Sequence, residues 1–461
     1  MELQAMAHPR SPRKPLDVVA PAAPPNLAEP ATRARLTPAA VAGMVRLAEI
    51  WGLSTSETCA LLDRLQQNAQ APNCPTVILP NVGGQAYYRV GLNGESAAAL
   101  IKMRGALSNG ELLSVIDSID AAYRAGAIEA PTFLDAMRIA AGSGAWDVAS
   151  YPVGRGGGDP GPLQALVDGA APEARPQYAA LMRALYAPRL QGALSGADVS
   201  SALLRRAVVN AVAVQGQDPA LRQDLAARVL PSLGFPAPEG GAQPLDEDLR
   251  QSALIVAIQD GGKPVLDAVF IALRQNQDQA FRRDAIAAIG QVKDKTLIAQ
   301  ILRSALEEPL SGVETYDLMA TLLANPSAQE QAWAWLKKNY AAFAQRIPES
   351  RKAEEPWMAR WFCNDAAADD VDRFFRKSSG YRPSGRLISM SVENIRLCTA
   401  FKKARGAELR AALTDAVAPT AATGAKSATS PSTTAPKPPV QKTIAPKPAP
   451  AKPETGPASA P

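Results

Sequence analysis

The sequence predicts a mostly α fold, an α-solenoid of antiparallel helix pairs with a small β-hairpin near residues 76–91 and disordered termini. Three observations carry the prediction. First, residues 246–306 divide into four segments of about a dozen residues, near 246–258, 263–275, 278–290 and 294–306, each with an apolar stripe at helical spacing. Val265, Val269, Ala272 and Leu273 form one stripe; Phe281, Ala285, Ile286 and Ile289 form another. Second, the intervening turns are short: Asp260-Gly261-Gly262, Asn276-Gln277-Asp278 and Lys293-Asp294. One amphipathic helix cannot bury its own stripe, so consecutive helices joined this way bury it by stacking. Third, alanine is abundant while aromatic residues make up only 5% of the 461-residue chain, a balance that favours helix.

Taken in order, residues 1–36 are rich in proline and alanine and show no apolar period, as in a disordered leader. Residues 37–73 form a short helical segment. Ala40, Met44, Leu47 and Ile50 recur at helical spacing, Gly52 ends the run, and Ser54 or Thr55 can cap a second helix holding Cys59, Leu61, Leu62 and Leu65. Within 74–95, Val77, Ile78 and Leu79 predict one strand, Pro80 to Gly84 a turn, and Tyr87 to Val90 a second strand. One hairpin is too little for a sheet that stands alone. The helical domain spans 96–415. Helices are predicted near 96–107, 110–126, 130–143, 163–170, 173–186, 197–214 and 218–231, then the four segments above, then 311–324, 327–345, 355–364, 367–377 and 384–413. VGRGGGDPGP at 153–162 is a flexible break, and a Pro/Gly-rich loop lies at 234–244. Residues 416–461 hold eleven prolines and read as a disordered tail, partly polyproline II.

The net charge of +5 belongs to the ends. The tail has five lysines against Glu454, and the leader five basic against three acidic side chains, which leaves the body at about −1. Such a body lacks the basic footprint of nucleic-acid binding. No run approaches the roughly 18 apolar residues of a membrane span, and no apolar run follows Arg10, Arg13 and Lys14, so neither membrane insertion nor a secretory signal is expected. The default compartment is the cytoplasm. None of Cys59, Cys74, Cys363 and Cys398 forms a C-x-x-C pair. They are expected as buried free thiols, with a Cys59–Cys74 disulfide as the alternative if the chain is exported.

The only histidine is His8, in the leader. H-E-x-x-H needs two histidines on one helical face, and Ser–His or Cys–His nucleophile pairs need an imidazole base, so the body supports neither chemistry. Gly156, Gly158 and Gly161 satisfy G-x-G-x-x-G, but no strand precedes them and Pro160 interrupts them, so a loop is expected. The acids Asp246, Glu247 and Asp248, and Asp369, Asp370 and Asp372, sit at helix starts, where they favour the macrodipole. Trp333, Trp335, Trp357 and Trp361 face either a core or a ligand groove.

PSAQEQAWAWLKKNYAAFAQ (326–345) resembles the W-x-W/F-L-K-x-N-W/Y segment in the C-terminal helical domain of M1-family zinc aminopeptidases, as in endoplasmic-reticulum-aminopeptidase-like proteins. RRDAIAAIGQVKDKTLIAQIL (282–302), VDRFFRK (371–377) and SVENIRLCTAFKK (391–403) are similar to other helices of that domain, LPNVGGQAYYRVGL (79–92) to the last strand of its small β-sandwich, and DSIDAAYRAGAI (117–128) to the helix that follows. The resemblance covers roughly 74–413, and the order and spacing of the motifs are more specific than any one of them. It implies a HEAT-like bowl that shapes peptide access and can contact peptide C-terminal ends. It also implies no cofactor here, because zinc belongs to a catalytic domain whose motifs this sequence lacks. Arg282, Arg283, Arg360 and Trp361 are the candidate peptide contacts. Three readings follow: a non-catalytic peptide-access or scaffold module; half of a split aminopeptidase whose partner is a separate catalytic chain; or a DNA-binding helix-turn-helix at 37–66 fused to a helical body.

Overall fold

A computed structural model of the chain describes residues 79, 81–85, 88–154, 160–195, 199–241, 243–377 and 384–418. The leader, the segment 37–73 with its helix-turn-helix pattern, Cys59 and Cys74, and the tail beyond 418 lie outside the described residues.

The described chain is helical throughout. It opens with α1 (Gly94–Lys102), α2 (Asn109–Arg124), α3 (Ala130–Gly142), the single turn α4 (Trp146–Ala149), α5 (Pro162–Ala170), α6 (Arg175–Tyr186) and α7 (Leu190–Ser195). α8 (Val199–Val209) runs on into a π-helical turn at Asn210–Gln215, and α9 (Pro219–Val229) follows. Then come α10 (Arg250–Gln275), α11 (Gln279–Ile289), α12 (Lys295–Ser304), α13 (Gly312–Ala324), α14 (Gln329–Arg346), the short α15 (Glu349–Lys352) and α16 (Glu355–Met358), α17 (Asp365–Lys377) and α18 (Gly385–Val417).

The predicted turns, closed by side-chain caps, account for these boundaries. Asp278 accepts from the amides of Ala280 and Phe281, and Asp294 from those of Thr296 and Leu297. Ser108 with Glu111, and Ser311 with Glu314, form reciprocal capping boxes. Gly262, with φ 65°, breaks α10 where the Asp260-Gly261-Gly262 turn was expected. The predicted helix at 355–364 is cut short: α16 passes into a 3-10 turn at Ala359–Trp361, and Phe362 is extended.

The β-hairpin expected at 76–91 is not observed. Part of it lies outside the described residues; in the rest Val82–Gly84 is a 3-10 turn and 88–92 pairs with no strand. α2 supplies the reason. The Gly83 amide donates to Glu111 Oε1 (2.8 Å), the Val90 amide to Ser118 Oγ (3.2 Å) and Asn81 Nδ2 to Ser114 Oγ (2.8 Å), while Arg89 pairs with Asp117 (2.7 Å). Side chains of one helix satisfy groups that a partner strand would otherwise take, and this overrides the β propensity of Tyr88, Arg89 and Val90.

Sequential neighbours pack together, as in α9–α10, α10–α11 and α13–α14, and buried side chains from Leu92 to Leu413 form one continuous core. α18 departs from simple stacking. It packs on α17 and also returns to α3, α5 and α6. The Ala130 amide donates to Glu408 Oε1 (2.7 Å), Arg405 Nη2 to the Ile128 carbonyl (2.8 Å), and Arg410 pairs with Glu173 (3.0 Å). Phe401 meets Tyr123 edge-on at 5.3 Å, and Tyr123 stacks on Phe133 at 4.6 Å. The last helix thus joins the first ones through both ion pairs and buried rings.

Candidate functional site

The return of α18 encloses a recess of about 220 Å³. Its walls are α5 with the residues just before it and after it, the α13–α14 turn, the link after the 3-10 turn, and α18. Asp168, Arg175, Gln329, Trp361, Asn364 and Lys402 are its polar and aromatic lining side chains. Asn364 accepts from the Ala367 amide (2.8 Å), which fixes it at the start of α17.

Charge distinguishes this recess. Asp168 accepts from Arg175 Nε at 2.7 Å. Burial pushes the Asp168 carboxyl above the usual range against the pull of Arg175, and Lys293 stands close enough to add to that pull. Lys293 reaches solvent but is crowded by the surrounding elements; that partial desolvation, with Arg222 and Arg175 nearby, holds its ammonium below the ordinary lysine range. Among the described residues neither Lys293 nor Lys402 has a carboxylate within ion-pair distance. The lining thus holds Arg175, paired with the half-buried Asp168, and Lys402, which leaves one surplus positive charge, with Lys293 near Asp168 outside the lining. The larger groove between α17 and α18, about 590 Å³, differs in this respect: Arg376 pairs with Asp372 (2.7 Å) and Arg396 with Asp369 (3.0 Å).

The wall that carries Trp361 is tied down by a disulfide between Cys363 and Cys398. This corrects the expectation of free thiols for that pair. Gly169 makes room for it: a Cβ there would lie 2.7 Å from Cys398 Sγ and 3.4 Å from Cys363 Sγ.

Of the four arginine and tryptophan candidates, only Trp361 lines the recess. Arg360, next to it, lies over the rings of Trp357 (4.8 Å) and Trp361 (4.3 Å) and donates to the Trp357 carbonyl. Arg282 is buried and committed to the fold, donating to both Glu314 oxygens (2.6 and 2.9 Å) and to the carbonyls of Leu273, Asn276 and Pro309. Arg283 is exposed on α11, away from the recess lining. Trp333 belongs to the core, its indole N–H on Asp370 Oδ2 (2.8 Å). Sequence reasoning missed Asp168, Arg175, Lys293 and Lys402. The one available signal was the i, i+4, i+8 stripe of Cys398, Lys402 and Gly406, which puts the lysine on the face that meets α5.

Among the described residues no group of three or more His, Cys, Asp or Glu side chains is disposed to hold a metal. No described helix is long and apolar enough to cross a membrane. No curated protein matches the chain. The family described as the ERAP1-like C-terminal domain matches residues 77–397, well over half of the chain and the same span that holds the recess walls up to the Cys363 link. The chain belongs to the ERAP1-like C-terminal domain family, the C-terminal module of M1 aminopeptidase-like proteins.

Proposed function

We propose that this chain is a non-catalytic peptide-access module that holds the carboxylate end of a peptide in the recess between α5, α14 and α18. The observation that carries this reading is the charge surplus of the lining: Arg175 and Lys402 against the single acid Asp168, with Lys293 close enough to Asp168 to add to the positive field. At about 220 Å³ the recess has room for a terminal carboxylate together with part of the residue that carries it. Trp361 at the rim offers an apolar face to the side chain that precedes the carboxylate. Peptide bond cleavage, on this reading, is done by a separate zinc-bearing chain, and this module supplies grip.

Fluorescence anisotropy of the full chain tests the proposal, using one labelled nonapeptide made as the free acid and as the C-terminal amide. The free acid is expected to bind at least about tenfold more tightly, a difference of about 1.4 kcal/mol. Equal affinities contradict a carboxylate grip.

A further inference from the structure

The Cys363–Cys398 disulfide forms part of the recess, which suggests a regulation of that site. Cys363 is one of its lining residues. Cys398 lies one helical turn before Lys402 on α18, and Gly406 one turn beyond. Gly169 lacks the Cβ that would strike Cys398 Sγ at 2.7 Å, and Gly406 the one that would strike the Ala170 carbonyl oxygen at 2.6 Å. The disulfide therefore ties the link Trp361–Asn364 to the face of α18 that presents Lys402, between the flanking Asn394–Arg360 and Lys403–Asp365 contacts. Both cysteines are half-buried, so a small thiol can reach them.

The remaining contacts define what reduction would free. α18 keeps its hold on the first helices through Arg405, Glu408 and Arg410. Its first half stays docked through Ser391 Oγ on the Pro356 carbonyl (2.7 Å) and Asn394 Nδ2 on the Arg360 carbonyl (2.9 Å). The fold thus has anchors independent of the disulfide. The link from Trp361 to Asn364 has the disulfide as its covalent tie to α18, and it carries three of the recess residues.

We infer that the Cys363–Cys398 disulfide is a redox latch on the recess: oxidised, it holds Trp361, Asn364 and Lys402 in place for an anionic peptide end, and reduced, it releases the link and weakens the grip. This rests on the carboxylate reading above. The switching step is thiol–disulfide exchange with a dithiol. The dithiol thiolate attacks one sulfur, forms a mixed disulfide and closes on itself as a cyclic disulfide. Two electrons and two protons end on Cys363 and Cys398 as thiols.

The test uses the full chain carrying Cys59→Ser and Cys74→Ser, so that only this pair responds to dithiothreitol. Binding of the labelled free-acid and amide nonapeptides is measured before reduction, after it and after reoxidation, with helical circular dichroism as the fold control. The expected result is a reversible loss of about tenfold in free-acid affinity on reduction, unchanged amide binding and an unchanged helical signal. By linkage, saturating free-acid peptide should make the disulfide about 30 mV harder to reduce for that tenfold preference. Reduced protein that binds the free acid as well as oxidised protein overturns the latch, as does a collapse of the helical signal, which would make the disulfide a staple of the fold. If oxidised protein does not distinguish acid from amide, the carboxylate reading fails first and the latch falls with it. A Cys363→Ser, Cys398→Ser pair repeats the comparison without reductant.

Discussion

Gly406 on α18 lies against the carbonyl oxygen of Ala170 at the end of α5, so close that a Cβ at position 406 would stand 2.6 Å from that oxygen. The contact is backbone to side-chain-free backbone, and it lets the last helix settle onto one of the first. Larger residues here must push the two helices apart. Gly406→Val is expected to destabilise the protein by about 1–3 kcal/mol, with a lower Tm in differential scanning calorimetry. Gly385→Ala is the control, since a Cβ there meets nothing within 4 Å. Its effect should stay within about 0.5 kcal/mol.

Arg282 and Arg283 are adjacent in sequence and opposite in role. Arg282→Met should cost about 3–5 kcal/mol, because it leaves the Glu314 charge unpaired in a nearly buried site and removes the donor to the Pro309 and Asn276 carbonyls. Arg283→Met, on the exposed face, should change stability by no more than about 0.5 kcal/mol. Urea denaturation followed by circular dichroism separates the two. Similar values for both would refute the assignment of Arg282 to the fold.

Glu355 gives the protein a predictable pH dependence. Its side chain is fully enclosed; Oε2 accepts from the Tyr340 hydroxyl, and Oε1 has no partner. Burial raises its pKa from 4.5 to about 7, against the opposing pull of the Tyr340 hydrogen bond and the Lys352 charge. The folded state therefore holds this proton more tightly than the unfolded chain. Its contribution to stability is fully present below about pH 4.5 and is lost as pH rises to about 7, with a total change of up to about 3 kcal/mol. Glu355→Gln should flatten the stability profile between pH 5 and 7 and raise stability at pH 8. A wild-type profile that rises across this range, and is unaltered in the variant, would contradict the account.

The helical rhythm was legible because local rules and packing agree over most of the chain. The turns ending at Asp278 and Asp294, the Gly262 break and the stripe of Phe281, Ala285 and Ile289 are all local features, and each appears where the spacing placed it. The hairpin was misread because Tyr88 and Val90 look like strand residues, while the groups that satisfy their segment, Glu111, Asp117 and Ser118, sit on a helix about 28 residues on. The recess was illegible for a related reason. Asp168 and Arg175 meet Lys402 only because α18 folds back, and no local pattern reports that return. The partner of Cys398 was equally hidden, since four cysteines allow three complete pairings.

The central claim is that the cationic surplus at the recess, Lys402 in the lining and Lys293 beside Asp168, grips a peptide carboxylate. Its most direct test is the Kd of the free-acid nonapeptide for the wild-type chain and for Lys293→Gln, Lys402→Gln and the double variant, each checked for unchanged helicity. Among the described residues neither lysine has a carboxylate within ion-pair distance, so their loss should leave the fold intact. The account predicts about a tenfold loss for each lysine and more for the pair, with amide binding unaffected. Free-acid affinity that survives removal of both lysines would contradict it.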